Sequence, residues 1–131
     1  MNLCKIIPFP KITDDRGNLT FIQNPEIIPF RIQRVFWMYD VPGGEMRGGH
    51  AYKRQYEIII ALSGSFDINV INSEGVKTTY FLNRSYFGLY LPPSHWREIV
   101  NFSTNSVSLH IADTDFDPKD YIRDFNEFLE L

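Results

Sequence analysis

Gly48-Gly49-His50-Ala51-Tyr52, followed by Glu57 and then by Gly64 after six intervening residues, is the stretch on which the reading of this chain turns. Its histidine and tyrosine stand two positions apart, and in an extended chain such residues emerge on the same face. Around it, aromatic and β-branched residues gather in short runs separated by Gly, Pro, Asn and Ser, as in strands punctuated by turns. Candidate strands cover residues 5–8, 19–23, 31–39, 55–62, 65–72, 77–82, 86–91, 98–102 and 106–112. Turn signals separate them at Asp14-Asp15-Arg16-Gly17-Asn18, Pro42-Gly43-Gly44, Ser63-Gly64, Asn72-Ser73-Glu74-Gly75 and Pro92-Pro93-Ser94. Only the C-terminal end has a helical period. Asp117-Pro118 offers an N-cap and a first-turn proline, and Tyr121, Ile122, Phe125, Phe128 and Leu129 follow as one apolar stripe. The reading is all-β, a sandwich or a jelly roll with one terminal helix docked on it, and the pattern alone does not choose between the two.

With 131 residues, 44% apolar and 22% charged, the chain has the size of a single domain over 1–131 that can bury a real core. A net charge of −3 and a pI near 5.5 argue against a nucleic-acid or anionic-membrane binder, so an anionic ligand requires a local arginine cluster. Cys4 is alone and the first twenty residues lack a secretory pattern, which points to a soluble protein of the reducing cytoplasm. Every apolar run is interrupted well short of the roughly 20 residues that cross a bilayer.

The opening stretch resembles the first cupin motif, G…HxH…E…G, with Tyr52 where the second histidine would stand. A second cupin motif has its remnant in Gly88-Leu89-Tyr90-Leu91-Pro92-Pro93-Ser94-His95-Trp96-Arg97, with Arg97 in the place of the last ligand. That resemblance implies a jelly-roll barrel with His50 and Tyr52 on one wall of its interior. A guanidinium has no lone pair to give a metal, and His50 and Glu57 alone make a poor first-row site, so no metal is expected. Glu57 reads instead as a hydrogen-bonding partner of His50 or of an arginine.

Nearly end to end, the chain also resembles the dTDP-4-keto-6-deoxyglucose 3,4-ketoisomerases. The carriers are Asp15-Arg16-Gly17-Asn18-Leu19, Arg34-Val35, Arg47-Gly48-Gly49-His50-Ala51, the Gly88 to Trp96 block and Asp120-Tyr121-Ile122-Arg123-Asp124-Phe125. The resemblance implies a cupin-type homodimer that exchanges N-terminal strands and uses no cofactor. It also implies a dTDP-linked 4-keto-6-deoxy sugar as substrate, whose ketone moves from C4 to C3 through an enediol. The family's HxH pair becomes His50 and Tyr52, and Phe36 and Trp37 stand where members usually carry tyrosine, leaving Tyr39 as the nearest phenol.

His50, Tyr52 and Tyr39 are therefore the catalytic candidates, and Arg16, Arg47, His95 and Arg97 the substrate-binding ones. Each has a plainer alternative: a buried structural histidine for His50, a turn cap for His95, solvated or ion-paired side chains for the arginines. Two other functions compete with ketoisomerisation. One is a catalytically silent cupin that binds a sugar nucleotide or a partner enzyme; the other is an epimerase with a His base and a Tyr acid.

Overall fold

The computed structural model describes residues 3–24 and 26–131. Two five-stranded antiparallel sheets form the body of an all-β jelly roll. The first, in spatial order, contains β1 (Lys5–Pro8), β9 (Phe87–Leu91), β6 (Glu57–Ser63), β11 (Val107–Ala112) and β4 (Arg34–Met38). The second contains β12 (Tyr121–Ile122), β5 (Arg47–Tyr52), β10 (Trp96–Val100), β7 (Phe66–Ile71) and β8 (Lys77–Leu82). A separate hairpin joins β2 (Lys11–Asp14) to β3 (Gly17–Thr20), and a helix α1 (Phe125–Leu129) ends the chain. No helix among the described residues is long and apolar enough to cross a membrane.

Alternation along the strands decides what lies between the sheets. In β7, Phe66, Ile68 and Val70 are buried while the residues between them are half-exposed, and they pack with Ile59, Leu82, Leu89, Leu91 and Ile99. Burying a side chain of this size stabilises by about 1.5–3 kcal/mol. This core fills one end of the sandwich. The other end stays open, because polar side chains of β5, β6, β10 and β11 face inward there.

Several sequence boundaries move for identifiable reasons. Strand β5 was absent from the candidate strands, although His50 and Tyr52 were read as extended; Gly48 and Gly49 adopt positive φ, 90° and 74°, and stay within the strand, Gly49 as the residue skipped in the register with β10. At Gly48 the ladder to β10 is irregular, and a Cβ there would lie 3.0 Å from the Arg97 carbonyl oxygen. Strand β2 was missed because all four of its residues are exposed and show no apolar alternation. The strand expected at 98–102 occupies Trp96–Val100, ended by Asn101 with φ 57°.

The single terminal helix expected from Asp117 onward is broken in two. Asp117 does cap a 3₁₀ turn, Pro118–Asp120, but Asp120 is buried and its carboxylate accepts from the backbone N–H groups of Arg54 (2.8 Å) and Gln55 (3.1 Å). This anchor draws Tyr121 and Ile122 into β12 beside β5, and the helix starts only after a second cap, Asp124. Ile122 and Phe128 then pack on Ala51 and Trp96.

Candidate functional site

The open end is a cavity of about 390 Å³ between the sheets. From β5, β10 and β12 it receives His50, Tyr52, Arg97 and Tyr121; from β4, β6 and β11 it receives Phe36, Glu57 and His110. Arg47 and Arg123 sit on its wall as well. Strand register sets the neighbours: His50 lies opposite Arg97, and Tyr52 opposite Tyr121.

The three rings of one wall form a mutual cluster. The centres of His50 and Tyr52 are 4.9 Å apart, those of His50 and Tyr121 4.9 Å, and those of Tyr52 and Tyr121 4.7 Å. The two phenol hydroxyls are hydrogen-bonded at 3.2 Å. Guanidinium groups cover both phenol rings, Arg97 at 4.9 Å from the Tyr52 centre and Arg123 at 4.3 Å from that of Tyr121.

Opposite stands a buried charge network. Arg97 Nη1 donates to Glu57 Oε1 at 2.5 Å, and His110 Nδ1 to Glu57 Oε2 at 2.6 Å. The carboxylate can only accept, so Nδ1 carries the proton in that bond. Ser108 Oγ lies 2.9 Å from His110 Nε2, and Arg97 Nε donates to the His95 carbonyl at 3.1 Å. Arg97 and Glu57 are each 1% exposed. Their pairing offsets a desolvation cost of several kcal/mol per ion, and a charge left alone there would be strongly destabilising. Arg97 Nη2 and His50 Nδ1 have no hydrogen-bond partner among the described residues.

These surroundings set the protonation states. Burial alone would raise the Glu57 carboxyl, but the His110 hydrogen bond and the charges of His110 and Arg97 outweigh it and hold the group down at about 2. His50 is lowered to about 4, chiefly by burial and secondarily by Arg97, so its imidazole is neutral at pH 7. Tyr52 is pushed well above the ordinary phenol range, first by burial and then by the Glu57 carboxylate, and stays neutral. The site thus offers one neutral base, two hydroxyls and a fixed cation, a set suited to moving protons around an enolate.

Of the residues singled out from sequence, His50, Tyr52, Arg47 and Arg97 come together in this cavity. Tyr39 does not line it: just beyond β4 and 61% exposed, it follows the outward parity of Val35 and Trp37. Arg16 is at the exposed tip of the β2–β3 hairpin, where it pairs with Asp14 at 2.7 Å. The His95 ring is turned back on the Pro93 carbonyl at 2.9 Å, and His95 reaches the site only through the carbonyl that holds Arg97.

Three cavity residues escaped the sequence reading. His110 alternates with Ser108 in an otherwise apolar strand, which was the available signal. Tyr121 and Arg123 were assigned to a helix.

The protein family described as FdtA, WxcM-like, C-terminal, matches residues 2–131. The TDP-4-oxo-6-deoxy-α-D-glucose-3,4-oxoisomerase of Aneurinibacillus thermoaerophilus is 36% identical over 124 residues, covering 95% of this chain and 88% of that protein. Among solved structures, the TDP-quinovose 3,4-ketoisomerase WlaRB of Campylobacter jejuni superposes with a TM-score of 0.93 at 36% identity, with all of both chains covered. A variant of the 3,4-ketoisomerase QdtA of Thermoanaerobacterium thermosaccharolyticum, in complex with TDP-4-keto-6-deoxyglucose, superposes with a TM-score of 0.94 at 32% identity, covering 97% of this chain and 91% of that one.

Proposed function

The chain belongs to the FdtA, WxcM-like family of sugar 3,4-ketoisomerases, and from that premise we propose that it moves the ketone of a TDP-linked 4-keto-6-deoxyhexose from C4 to C3. The observation that carries this reading is a neutral imidazole, His50, packed against two phenols beside Arg97, a cation locked by Glu57. The C4 ketone acidifies the C3 hydrogen, and His50 removes it. Charge then develops on the sugar oxygens, where Arg97 stabilises it. The same imidazole, now protonated, returns a proton at C4. Tyr52 donates to the oxygens as a neutral phenol.

The reaction needs no metal in this reading. Arg97 stands in a cupin ligand position, and both Glu57 oxygens are already engaged. Arg47 at the cavity wall is the candidate for the diphosphate.

We further propose a homodimer. β1 pairs with β9 of its own chain, so the exchanged element in this reading is the β2–β3 hairpin, which is paired into neither sheet and leaves Ile12 and Leu19 exposed. Such an exchange would bring Arg16 toward the partner. Cytoplasmic location fits Cys4, a lone thiol that burial pushes up to about 11 and so keeps protonated.

Tyr52 in place of a second histidine favours one competing reading, a silent sugar-nucleotide binder. Incubation with TDP-4-keto-6-deoxyglucose in deuterated water, followed by NMR, separates them. Appearance of the 3-keto sugar supports isomerisation, with deuterium at C4 to the extent that the His50 imidazolium exchanges with solvent; deuterium at C3 or C5 with the ketone unmoved indicates epimerisation; bound sugar, unlabelled and with its ketone unmoved, indicates the silent binder.

A further inference from the structure

Ketone transfer between adjacent carbons moves two protons, and His50 accounts for one. A proton must leave C3 and one must arrive at C4, and likewise one must leave O3 and one must arrive at O4. Tyr52 alone serves the second demand poorly, because a single phenol must accept and donate at one oxygen atom. A phenolate left behind at this site, where Tyr52 is 1% exposed and the Glu57 carboxylate is near, is strongly disfavoured.

Tyr121 supplies what is missing. The β12–β5 register sets it directly opposite Tyr52, both side chains line the cavity, and their hydroxyls are 3.2 Å apart. Two hydroxyls one hydrogen bond apart match two vicinal oxygens of a pyranose ring, which are themselves about one hydrogen bond apart. Both rings are fixed by His50, and each is covered by a guanidinium, so the pair is held at that spacing.

Resting on the ketoisomerase reading above, we propose that Tyr52 and Tyr121 form a two-phenol relay that carries the O3 proton to O4. As His50 takes the C3 hydrogen, the C3–H electron pair becomes the C3–C4 double bond and the carbonyl pair on O4 takes the Tyr52 proton. Tyr52 takes the Tyr121 proton, and Tyr121 takes the proton of O3. Both phenols end as they began, and the negative charge rests on O3 of an enediolate. That oxygen then forms the new carbonyl at C3, while the C3–C4 pair takes the proton of His50 at C4. Nothing outside the substrate is oxidised or reduced. The second phenol also explains how tyrosine can serve at position 52.

The test compares wild type, Tyr121→Phe, Tyr52→Phe and the double variant on TDP-4-keto-6-deoxyglucose deuterated at C3, followed by NMR. Phenylalanine keeps the ring contacts, and an unchanged circular-dichroism melt confirms an intact fold. Tyr121→Phe is expected to lower kcat about 100-fold with KM within about twofold. Loss of the C3 label to water should fall much less, so the ratio of exchange to isomerisation rises. The double variant should be no slower than the slower single one, since the hydroxyls act as a unit. A wild-type rate in Tyr121→Phe, losses that multiply in the double variant, or exchange and isomerisation falling together would each overturn the relay. Absence of isomerisation by the wild type removes the ketoisomerase reading itself, and the relay with it.

Discussion

Replacing Glu57 by glutamine removes the only carboxylate among the cavity residues and leaves the Arg97 guanidinium, 1% exposed, without a counter-charge. Breaking a buried pair by deleting one partner costs about 3–5 kcal/mol. The depressed carboxyl points the same way. The Glu57 carboxyl is held at about 2 against 4.5 when free, a difference worth about 3 kcal/mol. Because the folded value is the lower one, this stability is fully present above pH 4.5 and is lost as the pH falls through about 2. Urea unfolding at a fixed protein concentration should therefore show Glu57→Gln about 3–5 kcal/mol less stable at pH 7, with the gap narrowing as the pH is lowered below 4.5. In a thermal scan that is a loss of about 10 °C or more. A gap under about 1 kcal/mol at pH 7, or one that does not narrow in acid, would refute the claim that this pair organises the site.

His50→Asn should abolish turnover while calorimetry still shows TDP binding. In the wild type, kcat/KM should stay flat from neutral pH and fall only near pH 4, where the imidazole protonates. The stability that neutral His50 contributes should likewise be complete above pH 6.5 and lost as the pH falls through about 4, checked by acid unfolding of wild type against His50→Asn. Gly48→Ala should destabilise by about 1–3 kcal/mol in urea, since its φ is 90° and the added methyl would sit 3.0 Å from the Arg97 carbonyl oxygen. TDP should bind more tightly than thymidine by calorimetry, and Arg47→Ala should weaken TDP about 10-fold while leaving thymidine unchanged. Sedimentation should give twice the 15.4 kDa chain mass, and deletion of the β2–β3 hairpin should yield monomer.

The parts of the fold that were legible in sequence are those written in short-range pattern. Alternation of buried and exposed residues in β7, and the Gly and Asn turns around it, were enough to place that strand and the all-β class. The motif spacing also brought His50 and Tyr52 to one wall, because a strand repeats every two residues. β5 itself was hidden, since Arg47-Gly48-Gly49 carries no apolar alternation and the strand shows only where β10 and β12 pair on either side.

Sequence by itself determined the chemical inventory of this protein: a histidine and a tyrosine in step, an arginine where a metal ligand would stand, and too little positive charge for a polyanion. It could not assign partners. Glu57 is held by His110, 53 residues away, and Tyr52 by Tyr121, 69 residues away. The helical stripe at the C-terminus was real as a pattern, yet a buried carboxylate, Asp120, satisfied two backbone N–H groups of the Arg54 loop and turned Tyr121 into the cavity instead. Local periodicity reports which face of an element is apolar. Which elements lie side by side, and in what register, follows from closing the sheets and satisfying their buried polar groups, and that closure alone put the base, the two phenols and the locked arginine in one cavity.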